Sequence, residues 1–349
     1  MPISKLNIEE FLELGESAPI FDVRSPSEYS HAHIPKAISF PIFTDEERKI
    51  IGTAYKQESR ETAIKIGLNS FGKNMVRMVE EAEKRVKTVG NPERIVGVHC
   101  WRGGMRSAAI AWLLDLYGFE VYLLGGGYKS YRHWVLNQFE KKYPLRILSG
   151  YTGSDKTGIL CELKKNKHPV IDLEGLASHK GSAFGNLEMK MQPSQEYFEN
   201  LLATELDNVS KKFPAEAIWL EGESQRIGHV NIPLIFYKNM RLQTQLFLDV
   251  PFEERLAFIT EHYGKYEKEK LINAIIRIKK KLGGLETKIA VNALLEDDLK
   301  TCFTVLLKYY DKLYHKSSSK GTADERKIIY IQSNTIEIKS NIEKIIQHV

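Results

Sequence analysis

Short apolar runs alternate with amphipathic stretches and glycine-rich turns along the chain, and this alternation limits the fold more than any other feature. Residues 19–23, 94–99 and 121–124 read as buried strands. Between the last two, Ser107 to Tyr117 carries Ala108, Ala109, Ala111, Leu113 and Leu114, the small-residue face of a buried helix, which Gly118 ends. Strands separated by helices predict a parallel α/β sheet. After Gly125-Gly126-Gly127 an amphipathic stretch over 128–142 runs into Tyr143-Pro144, where proline blocks helix continuation. A second α/β unit then starts. Residues 145–148, 169–173, 217–220 and 245–248 read as strands, 158–165 as a helix, and 251–316 as helical and charged. Ser317-Ser318-Ser319-Lys320-Gly321 reads as an exposed loop, and no internal repeat is evident. The expectation is two α/β domains, 1–142 and 143–349, the second with a helical basic segment at 251–316.

A chain of 349 residues supplies a core for each of two such domains. No apolar run approaches the ~18 residues that span a bilayer. The N-terminus lacks a basic region followed by an apolar stretch, so the sequence predicts a cytoplasmic protein with no membrane association. Three scattered cysteines, Cys100, Cys161 and Cys302, make no disulfide framework. The net charge of +5 is mildly basic, and Lys265, Lys268, Lys270, Arg277, Lys279, Lys280, Lys281 and Lys288 crowd one stretch. That stretch is either a solvated helical face or a contact surface for a phosphate backbone.

The segment His99-Cys100-Trp101-Arg102-Gly103-Gly104-Met105-Arg106-Ser107 follows a strand and opens a helix. A cysteine there faces the positive end of the helix dipole, among backbone N–H groups, with Arg102 and Arg106 beside it, so the thiolate is favoured. The same nest can hold an anion next to the sulfur, and Gly103 and Gly104 let the loop curl tightly. Two chemistries use this geometry. A phosphatase loop has five residues between Cys and Arg, as between Cys100 and Arg106; a sulfurtransferase carries a chalcogen on the thiolate. The stretch Phe21-Asp22-Val23-Arg24-Ser25-Pro26, continuing to His31-Ala32-His33-Ile34-Pro35, resembles the front of rhodanese domains, as does the order of that motif, the cysteine loop and Gly125-Gly126-Gly127. Rhodanese-fold phosphatases share the five-residue spacing, so both chemistries stay open at this point. The loop is one residue longer than in common sulfurtransferases, which implies a roomier anion pocket.

Gly150-Tyr151-Thr152-Gly153-Ser154-Asp155-Lys156-Thr157 lies between a strand and a helix, the context of a phosphate-binding loop. Gly150, Thr152, Gly153 and Ser154 would supply backbone N–H groups, Lys156 charge and Thr157 a hydroxyl. Asp155 stands where a glycine normally precedes the lysine; its carboxylate disfavours ordinary nucleoside triphosphate hydrolysis. Asp172 and Glu174 follow one apolar run, and Glu221 and Glu223 another, with His179, Lys180 and Arg226 close behind. Carboxylates at such strand ends can hold a metal ion or a water. No metal ligand set is assigned and no tightly bound cofactor is expected; Mg2+ is compatible with those carboxylates.

The combination resembles the tRNA 2-selenouridine synthase family over nearly the whole chain. The resemblance extends to residues 170–182, from Val170-Ile171-Asp172-Leu173-Glu174-Gly175 to His179-Lys180-Gly181-Ser182. It extends also to residues 219–228, which include Glu221-Gly222-Glu223-Ser224-Gln225-Arg226. It implies an N-terminal rhodanese-like domain followed by a P-loop NTPase-like domain with a helical C-terminal part. It implies a transferase acting on the wobble 2-thiouridine of tRNA. In the first step sulfur attacks geranyl diphosphate, giving an S-geranyl intermediate; in the second, selenium from selenophosphate displaces geranylthiol. The Cys100 nest suits the selenophosphate step, with Trp101, Arg102, Gly103, Gly104, Met105 and Arg106 as the surrounding anion loop; that selenium passes through Cys100 is expected from the loop's position before a helix and its flanking arginines. Lys156 and its loop are expected to take the diphosphate; Asp22 and Arg24 of the rhodanese-like front are supporting residues, as are Asp172, Glu174, His179, Lys180, Glu221, Glu223 and Arg226. The partners implied are tRNA and an enzyme that supplies selenophosphate; the oligomeric state is open. The alternative is a rhodanese-fold phosphatase or sulfurtransferase fused to a P-loop kinase-like domain.

Overall fold

A computed structural model describes residues 3–90, 93–181, 184–185, 189–319 and 327–348. The chain forms two compact units, Met1–Gln138 and Phe139–Val349.

In chain order the first unit contains β1 (Ser4–Leu6), α1 (Ile8–Leu14), β2 (Ile20–Asp22), α2 (Pro26–His31) and β3 (Ile38–Ser39). There follow α3 (Asp45–Gln57), α4 (Arg60–Val89), β4 (Ile95–His99), α5 (Met105–Leu116), β5 (Glu120–Leu124) and α6 (Gly127–Glu140), whose last turn passes the division. The five strands make one parallel sheet in the order β1-β5-β4-β2-β3, which places β4 at its centre. Local signals start the helices. Asn7 with Glu10, Ser25 with Glu28 and Thr44 with Glu47 form reciprocal capping boxes, and Pro26 occupies the first turn of α2. The core joins Val96, Val98 and Val121 of the sheet to Ile110 and Leu114 of α5 and to Phe71, Met78 and Ala82 of α4.

The second unit contains β6 (Leu145–Gly150), α7 (Lys156–Lys165), α8 (Leu173–Ala177), α9 (Gln195–Lys212), β7 (Ile218–Glu221), β8 (Arg226–Ile227), β9 (Val230–Asn231) and α10 (Leu234–Leu242). Then come β10 (Gln245–Asp249), α11 (Phe252–Tyr263), α12 (Lys268–Arg277), α13 (Lys279–Leu282), α14 (Gly284–Leu295), α15 (Leu299–Ser319), β11 (Ile328–Gln332) and α16 (Ile338–Ile346). Its parallel sheet runs β11-β10-β6-β7, so the strand that enters the phosphate loop is flanked on both sides. Buried Leu256, Ile275, Leu294, Phe303 and Leu306 give the α11–α15 helices a core of their own.

The α/β class and the succession of domains agree with the sequence reading. One expected strand does not form. Residues 169–173 make a single bridge, Val170 to Trp219, because Asp172 turns the chain by capping α8. The loop expected at 317–321 is helical as far as Ser319, and Lys320 and Gly321 lie outside the described residues. Among the described residues no helix is long and apolar enough to cross a membrane.

Candidate functional site

Cys100 directly follows the central strand β4, and its Sγ sits at the N-terminus of α5. Gly104 N–H donates to the sulfur at 3.3 Å, and Ser107 Oγ lies 3.2 Å from it. Burial pushes the thiol pKa up. Hydrogen bonds from Ser107, Gly104 and Arg102 N–H outweigh it, and the pKa falls below its ordinary value. The loop is braced from behind. Tyr128 N–H donates to Cys100 O at 2.8 Å and Lys129 N–H to Trp101 O at 3.0 Å. A Cβ on Gly127 would lie 2.4 Å from Cys100 O and 2.5 Å from Gly103 N, so the two glycine turns press backbone against backbone.

The arginines play a different part from the one expected. Arg106 Nη1 lies 2.6 Å from Glu28 Oε2, so its charge is paired with α2. Arg102, Trp101, Gly104 and Met105 are exposed around the loop, with Gly103 half-buried. Arg24 is buried against Asp22, Nη2 to Oδ2 at 2.6 Å, donates to Ala32 O and lies 3.8 Å above the Tyr128 ring. Asp22 and Arg24 thus hold the base of the loop and do not face the sulfur's open side. On that side Cys100, Trp101, Arg102, Gly104, Met105 and Arg106 border a cleft of about 660 Å³, closed by α3 and α4.

The second cluster is built on β6. Gly150 and Gly153 carry φ of +158° and +85°, and a Cβ on Gly150 would lie 2.7 Å from Leu248 O. Asp155 itself is left-handed, φ 51°, a conformation that aspartate tolerates. Its carboxylate accepts from Gly158 N–H at 3.1 Å and caps α7, which starts at Lys156, two residues earlier than expected. Ser154 is buried and donates to Tyr151 O. Lys156 is buried too; Nζ donates to Gly150 O at 3.2 Å and lies 3.4 Å from Glu221 Oε1. Burial works against its charge, but Tyr314 and the carboxylates of Glu221, Glu223 and Glu174 raise its pKa above the ordinary value.

Three of the sequence-selected carboxylates converge. Oxygens of Glu174, Glu221 and Glu223 lie within 4.8 Å of one another, and Thr157 Oγ1 donates to Glu221 at 3.2 Å and to Glu174 at 3.4 Å. Burial and the neighbouring carboxylates push Glu174 up to about 9 and Glu223 up to about 7. Two buried carboxylates and a half-buried one beside a threonine hydroxyl are a hard-oxygen donor set that fits Mg2+. Gly181 packs against this cluster; a Cβ there would lie 2.8 Å from Glu174 Oε1. Asp172 is a cap, accepting from Gly175 N–H at 2.8 Å. Arg226 donates to Gly228 O on an exposed hairpin, and Lys180 is exposed. Burial lowers the pKa of half-buried His179.

Sequence reasoning missed the brace of the phosphate loop. Buried Arg255 donates to Thr152 O at 3.1 Å, stacks 4.9 Å from the Tyr151 ring and pairs with both oxygens of Asp311 at 3.0 and 2.9 Å. It also missed Ser107 and Glu28; the first was visible as a hydroxyl one turn into α5.

Residues 7–133 match the rhodanese-like domain and residues 143–347 the tRNA 2-selenouridine synthase AAA domain. A tRNA 2-selenouridine synthase of Nitrosomonas europaea is 35% identical over 249 residues, 70% of this chain and 63% of that protein. One of Bdellovibrio bacteriovorus is 37% identical over 253 residues, 71% of this chain and 65% of that protein. The matched stretch thus spans less than two thirds of each of these two relatives. One of Shewanella piezotolerans is 32% identical over 347 residues, 90% of this chain and 93% of that protein. With a cysteine nest on one sheet, a phosphate loop on the next, and both domain matches in that order, the chain belongs to the tRNA 2-selenouridine synthase family.

Proposed function

We propose that this chain converts wobble 2-thiouridine of tRNA to 2-selenouridine through an S-geranyl intermediate. The observation that carries the reading is the held sulfur of Cys100 at the mouth of a helix, in a family chain that also carries the Lys156 loop. A substrate of this kind implies a cytoplasmic enzyme.

In the first step the 2-thio sulfur attacks C1 of geranyl diphosphate. The S–C bond forms, the C–O bond breaks and diphosphate leaves with the electron pair. Lys156 and the N–H groups of its loop stabilise the leaving charge. Glu174, Glu221, Glu223 and Thr157 would hold Mg2+, which supplies charge neutralisation to a diphosphate. Asp155 leaves the loop suited to a diphosphate placed differently from that of a nucleoside triphosphate, because its carboxylate already takes one N–H of the helix start.

In the second step selenium replaces the alkylated sulfur, now a far better leaving group. Selenium is at the selenide level both in selenophosphate and in the product. Direct displacement therefore balances: Se–C2 forms, C2–S breaks and geranylthiolate departs, after which water cleaves P–Se to give phosphate. Direct displacement leaves the Cys100 nest the task of holding the phosphate part of selenophosphate, since an S–Se species on Cys100 would need a two-electron oxidant that none of these reactants supplies. A selenium adduct in the intact mass of protein treated with selenophosphate contradicts direct displacement.

Nucleoside mass spectrometry tests the reading. Wild type given thiolated tRNA, geranyl diphosphate and selenophosphate should yield 2-selenouridine. Cys100→Ser should accumulate the geranylated nucleoside, and full selenation by that variant overturns the role of Cys100. Lys156→Ala should lose geranylation yet still convert tRNA supplied already geranylated.

A further inference from the structure

The cleft beside Cys100 lies wholly within the first unit, and the mechanism above leaves most of its wall unused. Its floor is hydrocarbon: Phe43, Ile51, Tyr55, Ile64, Leu68 and Phe71, from α3, α4 and the segment before them. Tyr55 and Leu68 are 54% and 60% exposed, and so is Met105 at 54%, a large uncovered apolar surface for one small region. Two helix-interior glycines, Gly52 and Gly67, also line it. Glycine is the poorest helix former after proline. A Cβ on Gly67 would come 3.3 Å from the Phe43 ring, and one on Gly52 2.7 Å from Arg48 Nη1, so the missing side chains leave room. The volume, about 660 Å³, falls in the ~300–1,000 Å³ range of sites that bury small ligands.

The rim is cationic. Lys56 and Arg102 border the opening, while Arg106 and, at 3.8 Å, Arg48 are paired with Glu28. An apolar floor under a cationic rim fits a branched hydrocarbon chain joined to a polyanion. It does not fit the small inorganic anion that the cysteine nest alone would take.

Resting on the reading above, we propose that this cleft seats the geranyl chain of the S-geranyl nucleoside during the selenium step. Lys56 and Arg102 then meet the RNA phosphates beside that nucleoside. With the chain lying along α3 and α4, its thioether faces the end of the cleft that Cys100 borders. The alkyl group is then a handle as well as part of a leaving group: it brings C2 of the base to the cysteine loop.

The test uses the full-length protein and anticodon stem-loop RNAs bearing 2-thiouridine S-alkylated with methyl, C5 prenyl or geranyl, and measures binding by fluorescence anisotropy. In wild type, affinity should rise from methyl to geranyl, at about fourfold per buried methylene as an upper bound. Leu68→Gln and Tyr55→Gln, on α4 and α3 at exposed positions, should abolish that rise without adding charge beside Lys56. Equal chain-length dependence in wild type and both variants overturns the assignment, as does no dependence in wild type. Conversion is followed separately. Wild type that binds by chain length but makes no 2-selenouridine from geranylated RNA and selenophosphate sinks the functional reading and leaves the cleft assignment standing.

Discussion

Ser107 Oγ lies 3.2 Å from Cys100 Sγ and 3.1 Å from Gly104 O, so one hydroxyl, whose proton turns to the sulfur when the thiolate forms, ties the nucleophile to the start of α5. This sets the order in which the three cysteines ionise. Burial raises Cys302 to about 12 and also raises Cys161, whereas Cys100 falls below the ordinary thiol value of 9.0. As pH rises toward neutrality, iodoacetamide should therefore label Cys100 first, its rate levelling below pH 9.0. Ser107→Ala should slow labelling at pH 7 by about tenfold, the effect of losing ~1.4 kcal/mol of thiolate stabilisation. Peptide mass spectrometry across pH reads both; an unchanged profile rejects the hydroxyl's role.

The carboxylate cluster should announce a divalent ion. Millimolar Mg2+ should raise the melting temperature by several degrees, as expected for a ligand near 100 times its Kd, which adds ~2.7 kcal/mol. In Glu174→Gln the rise should vanish, while metal-free stability stays level or improves, since the substitution relieves crowding with Glu221 and Glu223. An undiminished Mg2+ response in that variant places the ion elsewhere.

Arg255→Met should destabilise the second unit by ~3–5 kcal/mol, because it strands the Asp311 carboxylate and frees Thr152 O. Urea unfolding checks this. The double variant Arg255→Met with Asp311→Leu should recover a good part of the loss, and a double variant worse than the single one contradicts the account.

Asp155→Gly should leave stability within ~1 kcal/mol of wild type. Relief of the left-handed residue offsets the lost cap, which glycine replaces at a cost of a few tenths. Removing the carboxylate should tighten diphosphate binding, measured by calorimetry. Unchanged affinity means that Asp155 does not compete for the loop.

Much of this was legible because it is local. A strand, a glycine turn and a helix start within nine residues fix both the cysteine nest and the phosphate loop. The strand expected at 169–173 failed because a short apolar run does not by itself separate strand from turn, and the Asp172 cap decided it. What stayed hidden joins distant residues. Arg255 reaches Asp311 across 56 positions and Arg106 reaches Glu28 across 78, and no spacing rule connects them. The guanidiniums next to Cys100 in sequence were expected to hold its charge, but hydrogen bonds do that work and Arg106 turns away. The cleft was equally silent, since it needs α3, α4 and the loop in place at once.

Glu28 accepts from Ser25 N–H at the head of α2, from Arg106 on α5, and lies 3.8 Å from Arg48 on α3. A single acidic group thus joins α2, α3 and α5. Swap it for a neutral residue and two guanidiniums, those of Arg106 and Arg48, lose that partner at once. The cysteine loop and the lipid-like trough therefore share a common mooring, and neither can be retuned without disturbing the other.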